Sequence, residues 1–429
     1  MTPTIFALSS GRPPAGIAVI RISGPGAFAA LAALTGQPVP PLRRLVRRRL
    51  YDPANGSLLD KPLAVAFGAP ASATGDDLVE LHLHGGNAVV AAVLAALTAL
   101  PALRLAAPGA FTRRAFDNGK LDLSQVEGLA DLLDAETEAQ RRQALAQAGG
   151  SLRHAVDGWR GALIDVRADL EASLDFADED EVPAGLTAAA HARLTSLSAS
   201  LAAAAADATR GERLRDGLTI AVTGPVNAGK SSLINALAKR DVAIVTEYPG
   251  TTRDVLEVRL DLGGVAVTLL DTAGLRPTTD PVEAEGIRRA IARAAAADLV
   301  MVMGDAAARP EDLRIMGKAD LGDGMIGWRD GALHLSATAM EGIDLLIYWL
   351  IDWARRSVRP GEPALVTRER HAAAIAAARA EIADARTIGD AVLAAEHLRR
   401  ATVALDTIIG GVSTDDVLDA VFTRFCLGK

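Results

Sequence analysis

A nine-residue stretch at 224–232, Gly-Pro-Val-Asn-Ala-Gly-Lys-Ser-Ser, constrains the fold of this chain more than any other feature. It fits the pattern G-x-x-x-x-G-K-[ST] of phosphate-binding loops. An apolar, β-branched run at 218–222 precedes it, and an amphipathic helical pattern follows from Ser232. The glycines let successive amides point at phosphate oxygens, while the helix N-terminus adds the positive end of a dipole. The sequence therefore predicts an α/β domain that binds a nucleotide.

Within and after this loop, side chains of the right type occur in the order that a guanine-nucleotide site requires. Lys230 would reach the outer phosphates, and the Ser231 hydroxyl would hold Mg²⁺. Thr252, in a switch-like segment, is suited to ligate Mg²⁺ and to sense the γ-phosphate. Asp271 follows an apolar strand, where an aspartate holds Mg²⁺ through water and Gly274 offers an amide to the γ-phosphate.

The base reader is predicted in two further segments. Asp320 would accept hydrogen bonds from the N1–H and 2-amino groups of guanine, and Ser336 would support that carboxylate. Taken singly, Asp271 fits a turn, Asp320 a loop carboxylate and Ser336 a strand-end cap, but their joint order favours the nucleotide site. The residues expected to contact GTP are Asn227, Ala228, Gly229, Lys230, Ser231, Ser232, Thr246, Glu247, Tyr248, Pro249, Gly250, Thr251, Thr252, Asp271, Thr272, Ala273, Gly274, Lys318, Asp320, Ser336, Ala337 and Thr338.

The base-reading segment departs from the usual Asn-Lys-x-Asp because its first residue is Gly317. The missing carboxamide removes a hydrogen bond to the base and a brace to the phosphate loop. Such a hydrogen bond contributes about 1 kcal/mol. We therefore expect binding that is weaker but still selective for guanine.

The residues that would support hydrolysis are also unusual. Many GTPases orient the attacking water with a glutamine soon after the Asp-x-x-Gly aspartate, whereas here Leu275 and Arg276 follow Gly274. The nearest candidates are Glu283 and an extra cation beside the β- and γ-phosphates, for which Asn227 and switch carbonyls are suitable oxygen donors. Taken alone, Glu283 fits better the ordinary acid of a first helical turn.

Composition limits the remaining possibilities. The net charge of −8 argues against broad, charge-driven binding of nucleic acid, so an RNA partner would be met by a local patch or through a second protein. The single cysteine, Cys426, fits a reducing cytoplasm. Neither a signal peptide nor an apolar run long enough to span a membrane is predicted.

Changes in residue composition and periodicity along the chain predict a multidomain α/β protein in three parts. Residues 1–118 alternate β-branched runs and glycine turns with one helical stretch, which predicts an α+β domain. Residues 119–215 and 357–429 are Ala-rich and helical, and residues 216–356 alternate strands and helices as a doubly wound sheet does. Glycines 263 and 264 predict a hairpin within that sheet. The nucleotide domain is thus expected to be inserted into a helical domain.

One charged run stands out in the first part. Five of the seven residues 43–49 are arginines. Such a run fits an RNA contact, but an exposed strand face is the more ordinary interpretation.

Beyond the nucleotide motifs, four segments make the chain resemble the MnmE (TrmE) family of tRNA modification GTPases over essentially its whole length. They are Thr4-Ile-Phe-Ala with the run at 15–24, Glu80-Leu-His-Leu-His-Gly-Gly, Pro108-Gly-Ala-Phe-Thr-Arg-Arg-Ala-Phe-Asp-Asn-Gly-Lys-Leu-Asp-Leu and the terminal Phe425-Cys-Leu-Gly-Lys. The third and fourth are specific to this family rather than to GTPases at large.

The resemblance implies particular ligands. The family's N-terminal domain dimerises and binds a 5-formyl or 5,10-methylene tetrahydrofolate, and Arg21, Glu80, Lys120 and Lys429 match that pocket. Its GTPase domains pair when K⁺ binds, and the matching positions here are Asn227, Thr246, Tyr248 and Thr251. Glu283 matches the catalytic glutamate, and Lys230 remains the phosphate-contacting cation.

The resemblance also implies partners. The family acts as a cytoplasmic homodimer with an FAD-containing MnmG-type protein, forming a heterotetramer without a membrane partner. Together they place an aminomethyl or carboxymethylaminomethyl group on C5 of the wobble uridine of certain tRNAs. A regulatory or ribosome-assembly GTPase without modification activity is the alternative, but such a protein has no reason to carry a folate pocket.

Overall fold

The protein is described by a computed structural model. The described residues are 3–175, 186–244, 257–271, 292–306, 309–322, 324–359, 361–411, 418, 421–423, 425 and 428. They divide into two compact units. The first comprises Met1–Ala130, Arg153–Asp157 and Leu405–Lys429, and the second comprises Asp131–Leu152 and Gly158–Ala404.

The first unit contains a six-stranded sheet, ordered β3-β6-β7-β2-β1-β8, and a two-stranded β4-β5 pair. Its strands are β1 (Thr4–Leu8), β2 (Ile17–Ser23), β3 (Val46–Arg47), β4 (Leu50–Tyr51), β5 (Leu58–Asp60), β6 (Leu63–Phe67), β7 (Leu78–His84) and β8 (Leu103–Leu105). Its first helices are α1 (Ala27–Thr35), α2 (Asn87–Thr98) and α3 (Ala110–Asp117), and α4 (Leu123–Asp134) begins in it.

Alternating side chains give this sheet two different faces. Ile20 and Ile22 on β2 and Leu81 on β7 are buried in one cluster with residues of α1 and α2. Their neighbours along the strands, including Arg21 and Glu80, point to the opposite face because side chains alternate in a strand. The α+β prediction is therefore confirmed, with polar candidates sharing one face.

Helix content in residues 1–118 is higher than predicted. The sequence predicts one helical stretch there, but the structure has three, α1 to α3. Helices α1 and α2 read Ala-Phe-Ala-Ala-Leu-Ala-Ala-Leu-Thr and Asn-Ala-Val-Val-Ala-Ala-Val-Leu-Ala-Ala-Leu-Thr. Because they are apolar around almost their whole circumference, they lack the 3.6-residue polar period on which the prediction relied.

The second unit combines helices with a seven-stranded sheet, ordered β10-β11-β9-β12-β13-β15-β14. Its strands are β9 (Leu218–Thr223), β10 (Glu257–Asp261), β11 (Ala266–Asp271), β12 (Leu299–Met303), β13 (Leu313–Met316), β14 (Gly327–Arg329) and β15 (Ala332–His334). Further helices of the protein are α5 (Glu138–Ala148), α6 (Ser151–Asp175), α7 (Ala188–Ala206), α8 (Ala208–Asp216), α9 (Lys230–Ala238), α10 (Ile343–Val358), α11 (Glu369–Thr387) and α12 (Ala391–Ile409). No helix among the described residues has both the length and the apolar character required to cross a bilayer.

The central strands of this sheet run parallel, as the sequence predicts. Strand β9 pairs in parallel with β11 and β12, β12 with β13, and β13 with β15. Strands β10 and β11 pair antiparallel across Gly263 and Gly264, which confirms the hairpin. Buried side chains on these strands pack with α9 and α10 in one hydrophobic core, so the sheet is the rigid base of the candidate site.

One connection in this sheet is unusually short. The parallel neighbours β12 and β13 are joined by only the nine residues 304–312, of which 307 and 308 are not described. Parallel strands usually need a crossover of a dozen or more residues, most often containing a helix. The chain thus crosses from one strand to the next beside the phosphate loop without room for a full crossover helix.

The two places where the chain enters and leaves the sheet-containing segment are tied together. Gln143 on α5 donates its side-chain amide to the Ala364 carbonyl at 2.8 Å and accepts the Ala364 amide at 2.7 Å. Arg210 and Arg215 on α8 donate to the carbonyls of Glu362 and Thr367. The segment before β9 and the segment after α10 therefore lie side by side.

Candidate functional site

The predicted nucleotide residues that the structure describes gather at one edge of the second sheet. The phosphate loop follows β9, Gly317 and Lys318 follow β13, and Ser336 follows β15. Because these strands are parallel, their carboxyl ends lie at the same edge. This edge is where open α/β sheets bind ligands.

The phosphate loop closes tightly against β12 and opens onto α9. Gly224 has φ +138°, and a Cβ there would lie 2.4 Å from the Met303 carbonyl oxygen, so only glycine fits. Gly229 caps α9 in the left-handed region with φ +98°. Helix α9 begins at Lys230, so its free amides face the loop. The backbone therefore forms the anion-binding turn that the motif predicts.

Lys230 is held inside that turn. Its ammonium donates to the carbonyls of Gly224 and Pro225, each at 2.8 Å, and the residue is buried. Both acceptors belong to the loop itself, so the ammonium already lies where a phosphate would sit. A nucleotide would provide stronger, charged acceptors in place of these carbonyls.

Ser231 and Asp271 lie together beside the loop. The Ser231 hydroxyl is 3.1 Å from the Asp271 Oδ2 atom, and Asp271 is only 3% exposed. A hydroxyl beside a buried carboxylate supplies the hard oxygen donors that Mg²⁺ prefers. The two residues fit a magnesium ion, with the serine as ligand and the aspartate holding a bound water.

The base-reading segment is arranged beside them, with one difference from expectation. Lys318 has φ +60°, and the exposed Asp320 lies in the short turn Ala319–Leu321 that follows it. The Ala319 amide donates to the Leu335 carbonyl at 3.1 Å, which brings the two predicted segments together. The Ser336 hydroxyl accepts the Ala339 amide at 3.1 Å and, among the described residues, has no hydrogen bond with Asp320.

Gly317 faces the phosphate loop. A Cβ atom at this position would lie 3.1 Å from the Ala228 carbonyl oxygen and 3.1 Å from the Met303 Cε atom. A carboxamide at position 317 would therefore point at the loop that it braces in other GTPases. The first contact is with fixed backbone, whereas the second is with the end of a flexible side chain that can move aside.

Restoring the carboxamide should strengthen nucleotide binding. We expect Gly317→Asn to tighten GDP binding by roughly fivefold, equivalent to about 1 kcal/mol for one recovered hydrogen bond. Fluorescent GDP titration measures the effect, and Gly322→Asn in the same loop is the control because a Cβ there meets nothing closer than 3.8 Å. Unchanged or weaker GDP binding in Gly317→Asn would contradict this prediction.

The selectivity for guanine expected of the natural chain is tested by competition. It would be wrong if ATP displaced bound GDP as well as GTP does.

A cavity of about 590 Å³ opens beside Gly317 and Lys318. It is lined by Pro225–Ala228, Gly304–Ala306 and Met316–Lys318, so it lies beside the short β12–β13 connection. Asp320 and residues 336–338 do not line it. The cavity therefore includes Gly317 and Lys318 at the start of the base-reading segment but not Asp320 or residues 336–338.

Several predicted residues lie outside the described part of the chain. They are Thr246, Glu247, Tyr248, Pro249, Gly250, Thr251, Thr252, Thr272, Ala273, Gly274, Glu283, Cys426 and Lys429. Of the four predicted potassium positions, only Asn227 is described. It is exposed at the top of the loop with φ +65°, which leaves its carboxamide oxygen accessible to a cation.

The predicted folate residues of the first unit form a charged pair. Arg21 donates to Glu80 Oε1 from Nε at 3.0 Å and from Nη2 at 2.8 Å, and both side chains are about one-fifth exposed. The Arg21 guanidinium also lies 5.7 Å from the ring centre of Phe111. Lys120 is exposed. A cation and a carboxylate on one face suit a ligand with a carboxylate tail and a hydrogen-bonding ring, while the buried Phe111 ring packs beside the Arg21 guanidinium.

Sequence reasoning did not assign roles to three residues that shape this region. Phe111 lies in the quoted 108–123 motif, but nothing in the sequence showed its contact with Arg21. Arg114, whose pKa is lowered by burial, donates to the Ser23 carbonyl at 2.7 Å and to Asp76 at 3.2 Å. The Ser9 hydroxyl donates to the Gly428 carbonyl at 2.8 Å, across 419 positions of sequence. Gly428 therefore lies at the end of β1.

Sequence comparison gives family matches along the whole chain. A family profile described as the GTP-binding protein TrmE N-terminus matches residues 4–120, and one described as the MnmE helical domain matches residues 123–426. The tRNA modification GTPase MnmE of Parvibaculum lavamentivorans is 51% identical over 440 residues, covering 99% of this chain and 100% of the relative. The protein of the same name from Azorhizobium caulinodans is 54% identical, covering 99% of each.

Solved structures give weaker matches. The G domain of the Thermotoga maritima FeoB iron transporter is 21% identical, with a TM-score of 0.23, covering 32% of this chain and 98% of that one. Era of Aquifex aeolicus is also 21% identical, with a TM-score of 0.24, covering 38% and 66%. These likenesses are too low to support an argument, whereas the full-length sequence matches are decisive. The chain belongs to the MnmE family of tRNA modification GTPases.

Proposed function

We propose that this chain hydrolyses GTP with Mg²⁺ and K⁺ and uses the reaction to drive modification of tRNA. The observation that carries the proposal is the arrangement of Lys230, Ser231 and Asp271 at the carboxyl edge of a parallel sheet. A buried ammonium, a hydroxyl and a buried carboxylate beside a helix N-terminus are suited to triphosphate and magnesium. Family membership supports GTP as the nucleotide.

Roles within the proposed site follow from chemistry. Lys230 would neutralise the outer phosphates, and Ser231 and Thr252 would ligate Mg²⁺, with Asp271 holding a coordinated water. Asp320 would read guanine, beside residues 336–338. Bound K⁺, held by Asn227, Thr246, Tyr248 and Thr251, would add positive charge near the transferring phosphate. Glu283 would orient the attacking water.

The modification itself would require the first unit and a partner. Arg21, Glu80, Lys120 and Lys429 would hold 5-formyl or 5,10-methylene tetrahydrofolate as a one-carbon source. A cytoplasmic homodimer would work with an FAD-containing MnmG-type protein, the FAD remaining on that partner. The proposed product carries an aminomethyl or carboxymethylaminomethyl group on C5 of the wobble uridine.

The proposed functional domains follow the changes in sequence texture. Residues 1–118 would bind folate and dimerise, and residues 216–356 would bind and hydrolyse GTP. Residues 119–215 and 357–429 would form the helical domain into which the nucleotide domain is inserted. The paired connections between α8 and residues 362–367 support this insertion, because both ends of the nucleotide domain meet there.

GTP turnover in matched KCl and NaCl tests the proposal. With Mg²⁺ present, we expect KCl to accelerate turnover by about 10- to 100-fold, because one preorganised charge at the transferring phosphate contributes on this scale. Glu283→Ala should remove the acceleration while leaving GDP affinity unchanged. Equal, slow rates in both salts would count against cation-driven hydrolysis and favour a regulatory role.

A further inference from the structure

The five arginines of residues 43–49, interrupted by Leu45 and Val46, lie at a border of the first unit. We call Arg43, Arg44, Arg47, Arg48 and Arg49 the arginine edge. It includes part of β3, which is the last strand on one side of the six-stranded sheet. Four of its side chains are exposed, and Arg48 is half-buried. The ordinary interpretation of such a run is an exposed strand face. That interpretation describes the position of the arginine edge, but it does not explain why every charged side chain there is positive.

These charges are not neutralised within the protein. Among the described residues, no carboxylate lies within ion-pair distance of any arginine of the edge. Arg43 donates to the Ala71 carbonyl, and the Arg48 Nε atom is shielded from solvent without an acceptor. The buried Arg48 Nε atom is therefore the costly one, while the exposed guanidinium groups are hydrated and available to an external anion.

The acidic groups of the adjoining β4-β5 pair are engaged elsewhere. Asp60 bonds to the His84 ring at 2.7 Å, and its side chain is 8% exposed. Asp52 accepts the Ala54 amide and the Asn55 side chain, each at 2.9 Å. Neither carboxylate is directed at the arginine edge, so its positive charge faces outward.

Arginines on two of the helices are paired instead. On α5, Arg141 and Arg142 bind Glu138 at 2.7 and 2.9 Å, and these hydrogen bonds lower the pKa of Glu138 to about 2. On α12, Arg399 binds Glu396 at 2.7 Å. In a chain of net charge −8, five arginines within seven residues, none with an ion pair among the described residues, are a local concentration of positive charge.

From this contrast we propose that the arginine edge binds the phosphate backbone of RNA, an inference that rests on the proposed tRNA substrate. Guanidinium groups match phosphate oxygens with paired hydrogen bonds. Residues 42–49 include no aromatic side chain on which a base could stack. The arginine edge would therefore bind RNA through its phosphate charge and without recognising base sequence. It is the local positive patch through which a protein of negative net charge can bind RNA.

Salt-dependent RNA binding tests the inference on the full-length chain. The variant Arg44→Gln/Arg47→Gln/Arg49→Gln removes three exposed charges whose side chains make no hydrogen bond or ion pair with any described residue. The control Arg141→Gln/Arg142→Gln/Arg399→Gln removes the same net charge from paired sites. Both are titrated with an unmodified tRNA transcript and with polyuridylate from 50 to 200 mM KCl, and circular dichroism verifies folding.

We expect the edge variant to bind both RNAs about tenfold more weakly at 50 mM KCl. The slope of log K against log salt should fall by about 2 to 3, the value for three lost phosphate contacts. The control should remain within about twofold of the natural chain. Equal slopes in all three proteins would overturn the inference.

Other outcomes are equally decisive. Absence of RNA binding by the natural chain at 50 mM KCl would overturn the inference, because counterion release is strongest at low salt. A parallel titration with polyglutamate tests an acidic protein partner: weaker polyglutamate binding by the edge variant, with unchanged binding to both RNAs, would overturn the inference in favour of that partner. Nucleoside analysis of the tRNA tests the proposed function separately. If the wobble uridine stays unmodified while RNA binding still depends on the arginine edge, the proposed function is wrong and the inference about RNA binding stands.

Discussion

Lys230→Ala should reduce kcat/KM for GTP by about 10²- to 10³-fold, the scale for losing one preorganised donor at the reacting group. In the structure its ammonium donates to the Gly224 and Pro225 carbonyls of the phosphate loop, at 2.8 Å each. It therefore needs little rearrangement to meet a phosphate. Without it, the charge that builds on the β- and γ-phosphates lacks its nearest protein cation.

Steady-state release of phosphate, with GDP titration alongside, measures this effect. The matched control is Lys239→Ala, at the other end of α9, where the lysine is exposed and distant from the loop. We expect the control to retain natural turnover and the same thermal midpoint. Turnover of Lys230→Ala within tenfold of the natural rate would show that the loop does not position this ammonium for catalysis.

Asp271→Asn should give the second large loss, a fall in kcat of about 100-fold with a tenfold or greater rise in the Mg²⁺ concentration needed for half-maximal rate. The substitution retains shape and polarity but removes the charge that would hold a metal-bound water. It also weakens the 3.1 Å hydrogen bond with Ser231. The loss should therefore appear as a defect in metal use.

A magnesium titration of GTP turnover separates this defect from misfolding. GDP binding in EDTA should be unchanged in Asp271→Asn, because the metal is then absent from both proteins. Asp298→Asn is the control, since its carboxylate accepts the Thr219 amide at the amino end of β12. If half-maximal magnesium stayed the same in Asp271→Asn, the aspartate would have no part in the metal site.

The nucleotide loop was predictable because its requirements are local. Gly224 and Gly229 must adopt backbone angles that disfavour other residues, and Lys230 must follow at a fixed distance. All three constraints fall within one strand–loop–helix unit, so spacing alone expresses them. The predicted parallel strands and the hairpin at Gly263 and Gly264 were local in the same sense.

Other features depend on contacts that spacing does not express. The Ser336 hydroxyl was expected near Asp320, yet it bonds the amide of Ala339, three residues away. The position of Gly428 beside β1 depends on packing between the two ends of the chain. Helices α1 and α2 give little periodic signal because alanines occupy exposed positions such as 29, 33, 91 and 95, which removes their polar period. The Gly428 contact is tertiary and leaves no trace in the local sequence pattern, whereas the Ser336 bond is local and competes with the predicted one.

The paired hydrogen bonds between Gln143 and Ala364 have a consequence for how such a protein is assembled in evolution. A domain whose two ends lie next to each other in the surrounding structure can be inserted, removed or replaced, because a short linker is enough to close the gap. Residues 217–361 meet that condition, since Arg210 and Arg215 on one side reach Glu362 and Thr367 on the other.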